Sequence, residues 1–224
     1  MGRVHIPLFP LNTVLFPRMP LPLHVFEERF RRLVERCVEQ KSQFGVVLAR
    51  DPELQGASIA RVGTMARIHA VQKLDGGRYN ILAVGDERFA VLSRETTPDE
   101  YDLALVEKLL DNPADPAYLD PLTAEIRRLF TTYFEVLLSR AGLKTMEYEL
   151  PTDASELSFV VASVLQLPLE RRQQFLESTS TPERLQQEIA WLQRGIRHFE
   201  SGESAGQIAR PIDTSKAREE ISRN

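Results

Sequence analysis

A chain of 224 residues with 42% hydrophobic content can bury a substantial core, arranged as one large domain or two small ones. Its 32 acidic against 28 basic residues give a formal charge of −4, whereas a nucleic-acid binder carries a basic domain or stripe, so no nucleic-acid partner is expected. The single cysteine, Cys37, excludes an internal disulfide and a CxxC zinc site and reads as a small core residue, in keeping with a reducing cytoplasm. No apolar run reaches the length of a membrane span, and prolines interrupt the apolar N-terminus where a secretory signal would be continuous. The expected setting is the cytoplasm, with no membrane partner.

In chain order, residues 5–27 carry Pro7, Pro10, Pro17, Pro20 and Pro22. Each lacks a backbone donor and biases its predecessor towards extended geometry, so short edge strands and tight corners are expected there. Phe26, Phe30, Leu33, Val34, Cys37 and Val38 then recur at helical spacing, with charged residues between them. Residues 44–48 form a continuous apolar run suited to a buried strand. The segments 65–74 and 79–84 flank Asp75-Gly76-Gly77, a turn that supplies the positive φ of a hairpin. Gly85 is expected to bend the strand that continues over 89–92, and Leu103, Leu105 and Leu109 mark a further strand. A sheet that closes on itself removes its edges, which favours a small barrel.

Asp111 to Pro116 has the composition of a linker, and the pattern after it is helical. Leu122, Ile126, Leu129, Phe130, Tyr133, Val136 and Leu137 form one apolar face, closed by Gly142. Leu157, Val160, Val161, Val164 and Leu165 repeat the spacing behind a cap at Asp153 and stop at Pro168. A short helix is expected over 170–177. The last has Thr181 as cap and Pro182 at the first helical position, with Leu185, Ile189, Leu192, Ile196 and Phe199 along one side. It is long enough to pack on the other helices or on a second copy, so self-association through the C-terminal helices is an expected partner mode. Apolar periodicity ends at Phe199, and a disordered tail is expected over 201–224. The expected division is therefore 1–112, 113–200 and 201–224.

Catalytic chemistry finds little support. His24 lies near Glu27, but a zinc site needs three or four ligands, and His5, His69 and His198 have no ligand spacing, so no metal is expected. Ser139, Ser155, Ser158 and Ser163 lie in no GxSxG elbow, and Ser155 and Ser158 read as residues of a helix start. Asp86-Glu87 and Asp99-Glu100 read as solvated turn acids. No GxxxxGK[ST] loop is present to cradle a nucleotide, so neither a cofactor nor an enzymatic activity is expected. Phe9, Phe16, Phe26, Phe30, Phe44 and Phe89 could line a groove for unfolded polypeptide, although most large apolar side chains must be core. Glu27, Glu28 and Arg29 open the first helix beside the apolar segment and are the candidate polypeptide-binding residues at such a groove's rim; the helix dipole also favours acids there.

Several separated blocks occur in one order: His5-Ile6-Pro7-Leu8-Phe9-Pro10-Leu11, Leu21-Pro22-Leu23-His24-Val25-Phe26-Glu27, Val62-Gly63-Thr64-Met65-Ala66-Arg67-Ile68, Gly77 to Leu82, Val84-Gly85 through Arg88-Phe89, and Leu167 to Glu177. Across about residues 4–200 they resemble the Lon substrate-binding domain, the amino-terminal module of ATP-dependent Lon proteases that also occurs free-standing. The resemblance implies an α+β fold in which a PUA-like small β-barrel is followed by a C-terminal helical bundle. It further implies a non-catalytic module that binds unfolded polypeptide or a partner protein, here a free-standing member without the ATPase or protease domains. Two other classes stay open: an enzyme acting on a small molecule in a barrel pocket, and an RNA-binding PUA-like protein.

Overall fold

A computed structural model describes residues 2–51, 57–143 and 148–201. The tail expected over 201–224 lies, beyond Ser201, outside the described residues. Among the described residues the fold is α+β, a mixed six-stranded sheet with five α-helices, and the chain divides into two compact units between Leu109 and Leu110.

The first unit contains β1 (Arg3–Leu11), β2 (Pro20–Val25), α1 (Glu28–Gln40), β3 (Phe44–Ala49), β4 (Ile59–Lys73), β5 (Tyr79–Thr96) and β6 (Asp102–Lys108). Strand order is β2-β5-β4-β3-β1-β6, and β5 pairs with β6 as well, so that following the ladders from β5 leads back to β5. Of the proline-bearing strands, β2 is the edge strand expected, but β1 lies inside the sheet. It tolerates Pro7 and Pro10 because its two halves use different partners: residues 3–7 run antiparallel to β6, and residues 8–11 run parallel to β3. The strand β5 bends at Gly85, where the register with β4 shifts. A Cβ at Gly85 would sit 2.2 Å from the Phe16 carbonyl oxygen, so only glycine lets these two backbones meet.

The helix α1 buries Phe30, Leu33, Val34 and Cys37 in a core shared with Phe9, Leu21, Val25, Phe44 and Ile81. Phe9 and Phe30 stack with ring centroids 4.1 Å apart. A second cluster joins Ile6, Leu8, Val47 and Phe89 to Ala104 and Val106. The leucines of β6 are therefore not its core face, as Leu103 and Leu105 are half-buried while the smaller Ala104 and Val106 point inward. Val38, counted with the apolar stripe of α1, is exposed.

The second unit contains α2 (Pro116–Arg140), α3 (Ala154–Val164), α4 (Leu169–Glu177) and α5 (Thr181–Glu200). Asp115 and Pro116, read as linker, are the cap and first residue of α2: the Asp115 carboxylate accepts from the Ala117 amide at 2.9 Å, and proline suits a position whose N–H is unneeded. Gly142, at φ 69°, ends this helix as expected, with the Leu143 amide donating back to the Leu138 carbonyl. Asp153 caps α3 by accepting from the Glu156 amide at 2.9 Å. The cap of α5 is Ser180 rather than Thr181. The Thr181 hydroxyl is drawn instead into a buried polar cluster, where it donates to Asp111.

Candidate polypeptide-binding surface

The strand β2 pairs with β5 so that Leu21 and Val25 turn inward and His24, opposite Asn80, turns outward. Its Nδ1 and the Asn80 Oδ1 share a hydrogen bond of 2.7 Å. The chain then stays extended through Glu27, the cap residue of α1, and this extension carries Phe26 out of the core. At 62% exposure it is the most exposed large hydrophobic side chain among the described residues. Phe26 was expected on the buried stripe with Phe30. It precedes the helix, so helical spacing does not govern it; Phe30, inside the first turn, is 4% exposed.

The three candidate residues follow Phe26 in the chain. Glu27 makes no capping bond, and its Oε2 accepts from Arg29 Nη2 at 2.8 Å and Nε at 3.0 Å. The Arg29 guanidinium lies 4.4 Å above the Phe30 ring and its side chain is only 14% exposed, so Arg29 is partly a packing residue. Glu28 is exposed and pairs with Arg32, which also reaches Asp99 at 3.5 Å. Phe9, Phe16, Phe30, Phe44 and Phe89 are all buried, so the aromatic set supplies one surface ring, Phe26, rather than a groove lined by several.

The remaining carboxylate candidates are dispersed. Asp86 accepts from Arg67 at 2.8 Å and Gln43 at 2.7 Å, and the arginine bond holds its carboxyl below the usual range. Glu87 pairs with Lys108. Among the described residues, no cluster of three histidine, cysteine or carboxylate side chains could hold a metal ion.

In the second unit a buried ionic network appears that the sequence reading missed. Arg184 on α5 is fully buried and grips Asp111 with both terminal nitrogens, Nη1 to Oδ1 at 3.0 Å and Nη2 to Oδ2 at 2.6 Å. Ser155 and Thr181 donate to the same carboxylate, which burial opposes but this bonding lowers to about 2. Arg184 Nε donates to Ser158, whose hydroxyl donates to Glu188 Oε1 at 2.8 Å. Burial pushes the Glu188 carboxyl well above its usual range, and its Oε2 has no hydrogen-bond partner among the described residues. Ser155 and Ser158 are thus not merely helix-start residues. The available signal was the i, i+4 spacing of Arg184 and Glu188, one position off the Leu185, Ile189, Leu192 stripe.

The family model described as "ATP-dependent protease La (LON) substrate-binding domain" matches residues 5–194. Among curated proteins, the Lon protease of Rhizobium meliloti (strain 1021) is 28% identical over 194 residues, covering 85% of this chain and 24% of that protein. Lon protease 2 of Herpetosiphon aurantiacus is 30% identical over 226 residues, covering 95% of this chain and 27% of that protein. The chain thus spans about a quarter of the length of these relatives. Among solved structures, a Lon N-terminal domain protein from Xanthomonas campestris superimposes with TM-score 0.62 at 27% identity, over 84% of this chain and 98% of its own. The N-terminal domain of a Mycobacterium avium complex Lon protease gives TM-score 0.61 at 19% identity, over 85% and 98%, a likeness of fold alone.

Proposed function

Since the chain belongs to the LON substrate-binding domain family, we propose that it is a non-catalytic module that captures unfolded polypeptide or a partner protein at the β2–α1 corner. The observation that carries this reading is Phe26, a large ring 62% exposed and followed directly in the chain by Glu27, Glu28 and Arg29. Burying one such ring contributes about 1.5–3 kcal/mol before ordering costs, so capture by this corner alone is weak and the charged rim adds selection. The return of the strand ladders to β5 supports a PUA-like barrel over 1–112, and the mutual packing of α2 with α5 and α3 supports a helical bundle over 113–200. On this reading the protein works in the cytoplasm without a cofactor, and any self-association runs through the C-terminal helices. Among the described residues no helix is long and apolar enough to cross a membrane.

The test is titration of a fluorescent, unstructured, aromatic-containing peptide against the parent, Phe26→Ala, and the combined Glu27→Ala, Glu28→Ala, Arg29→Ala variant. Both variants are expected to bind more weakly; Phe26→Ala should keep its stability, and the triple variant should lose about 1 kcal/mol because Arg29 packs on Phe30. Unchanged affinity in the folded variants would remove this corner from the site, and absence of binding by the parent would defeat polypeptide capture itself.

A further inference from the structure

The strand β4 continues past its neighbour. Its ladder with β3 stops at Ala66, whereas its ladder with β5 runs on to Lys73. Residues 67–73 therefore have a strand on one side only, and among the described residues no strand pairs with the other edge. Alternate residues of such an edge turn their N–H and C=O groups outward, a template for another extended chain. The other sheet edge, β2, is blunted by Pro20 and Pro22, whereas Arg67 to Lys73 contains no proline and carries one register shift, between Ile68 and Ala70.

Beside this edge lies an open groove of about 500 Å³, walled on its far side by the C-terminal end of α1. Two exposed apolar side chains face it, Val38 from α1 at 46% and Val71 from β4 at 40%, with Ile68 half-buried between the strand and the core. Its charged lining is basic, Lys41 and Arg67, with no carboxylate among the described lining residues. Arg67 is engaged by Asp86 at 2.8 Å, which leaves Lys41 to set the sign of the groove. In a protein of formal charge −4 this is a local reversal.

We propose that residues 67–73 of β4 are a strand-addition edge, and that the groove between this edge and α1 takes an extended peptide carrying apolar and acidic side chains. Backbone pairing is indifferent to sequence, which suits unfolded segments, and side chains on the α1 side of an added strand meet Val38, Val71 and Lys41 together. At about 3.3 Å per residue the edge spans roughly 20 Å, with the register shift between Ile68 and Ala70 dividing it. Charge also argues against a second copy as occupant, because two such edges paired antiparallel would set Arg67 against Lys73. This inference rests on the polypeptide-binding reading but not on the Phe26 corner.

The experiment uses the full chain, a short capped peptide of alternating valine and glutamate, and amide hydrogen exchange. Binding is expected to slow exchange across 67–73 by about tenfold or more at saturation. Replacing glutamate by lysine in the peptide, or combining Lys41→Glu with His69→Glu in the protein, is expected to weaken binding about tenfold, and the loss should shrink as salt is raised. Alternate backbone N-methylation of the peptide should abolish it. Protection confined to residues 20–30 would overturn the edge site while leaving polypeptide capture standing, whereas failure of both this peptide and the aromatic-containing one would defeat both readings. Protection of 67–73 that grows with protein concentration in the absence of peptide would assign the edge to a second copy and overturn the proposal. Equal binding of the lysine peptide would also sink it.

Discussion

Asp111→Asn removes the counter-charge of a guanidinium whose side chain is 0% exposed. Breaking one side of a buried pair typically costs about 3–5 kcal/mol; asparagine keeps one acceptor, so about 3 kcal/mol is expected at neutral pH. The acid limb can be worked out separately. A carboxyl lowered from 3.8 to about 2 corresponds to about 2.5 kcal/mol, which solvent at a side chain still 14% exposed reduces to about 1–2 kcal/mol. Because the folded value is depressed, this stabilisation is present above the unfolded value and is lost as pH falls through the folded one, between roughly pH 5 and pH 2. Glu188 runs the other way: its folded value is raised above 4.5, so its contribution is complete below that value and declines as pH rises. Glu188→Gln should therefore gain stability relative to the parent at alkaline pH and change little in acid. The only tryptophan, Trp191, lies on α5, so urea unfolding followed by its fluorescence reports on this unit. Should Asp111→Asn unfold at the parent's urea midpoint and keep the same acid limb, the assignment of both effects to the Arg184 pair is wrong.

Phe30→Ala is expected to cost about 3–5 kcal/mol, as it empties a 4% exposed site and removes the stack on Phe9, while Phe26→Ala stays within about 0.5 kcal/mol; denaturant unfolding of both variants checks the contrast. Gly85→Ala forces a methyl group to within 2.2 Å of the Phe16 carbonyl oxygen, so a loss of about 3 kcal/mol or failure to fold is expected, read as soluble yield and thermal midpoint.

Where a residue's environment follows from its own element, the sequence was readable. The α1 stripe placed Phe30, Leu33, Val34 and Cys37 inside, Asp153 and Gly142 marked helix ends, and Gly85 marked the bend in β5. Reading failed where position depends on a distant partner. Extending the helical period one turn back assigned Phe26 to the core, although the extended geometry of Glu27 had already broken that period. Arg184 and Glu188 look like ordinary surface residues of a helix, and only the arrival of Asp111, Ser155 and Ser158 from elsewhere makes their side of α5 an interior. The interior place of β1 depends likewise on β6, whose partner residues lie far along the chain.

That divided strand also sets an order of assembly. During synthesis, residues 8–11 can meet β3 soon after residue 48 has emerged, but residues 3–7 must wait for β6, with Ile6 aligned on Ala104 and Pro7 on Leu103. Such distant pairing costs loop-closure entropy before any contact repays it, and slows folding relative to a sheet of consecutive hairpins. Until β6 arrives, the apolar face that will hold Ile6, Ala104 and Val106 is unsealed, so a nascent chain stalled before Asp102 is the form in which this unit is most exposed to aggregation and to chaperones.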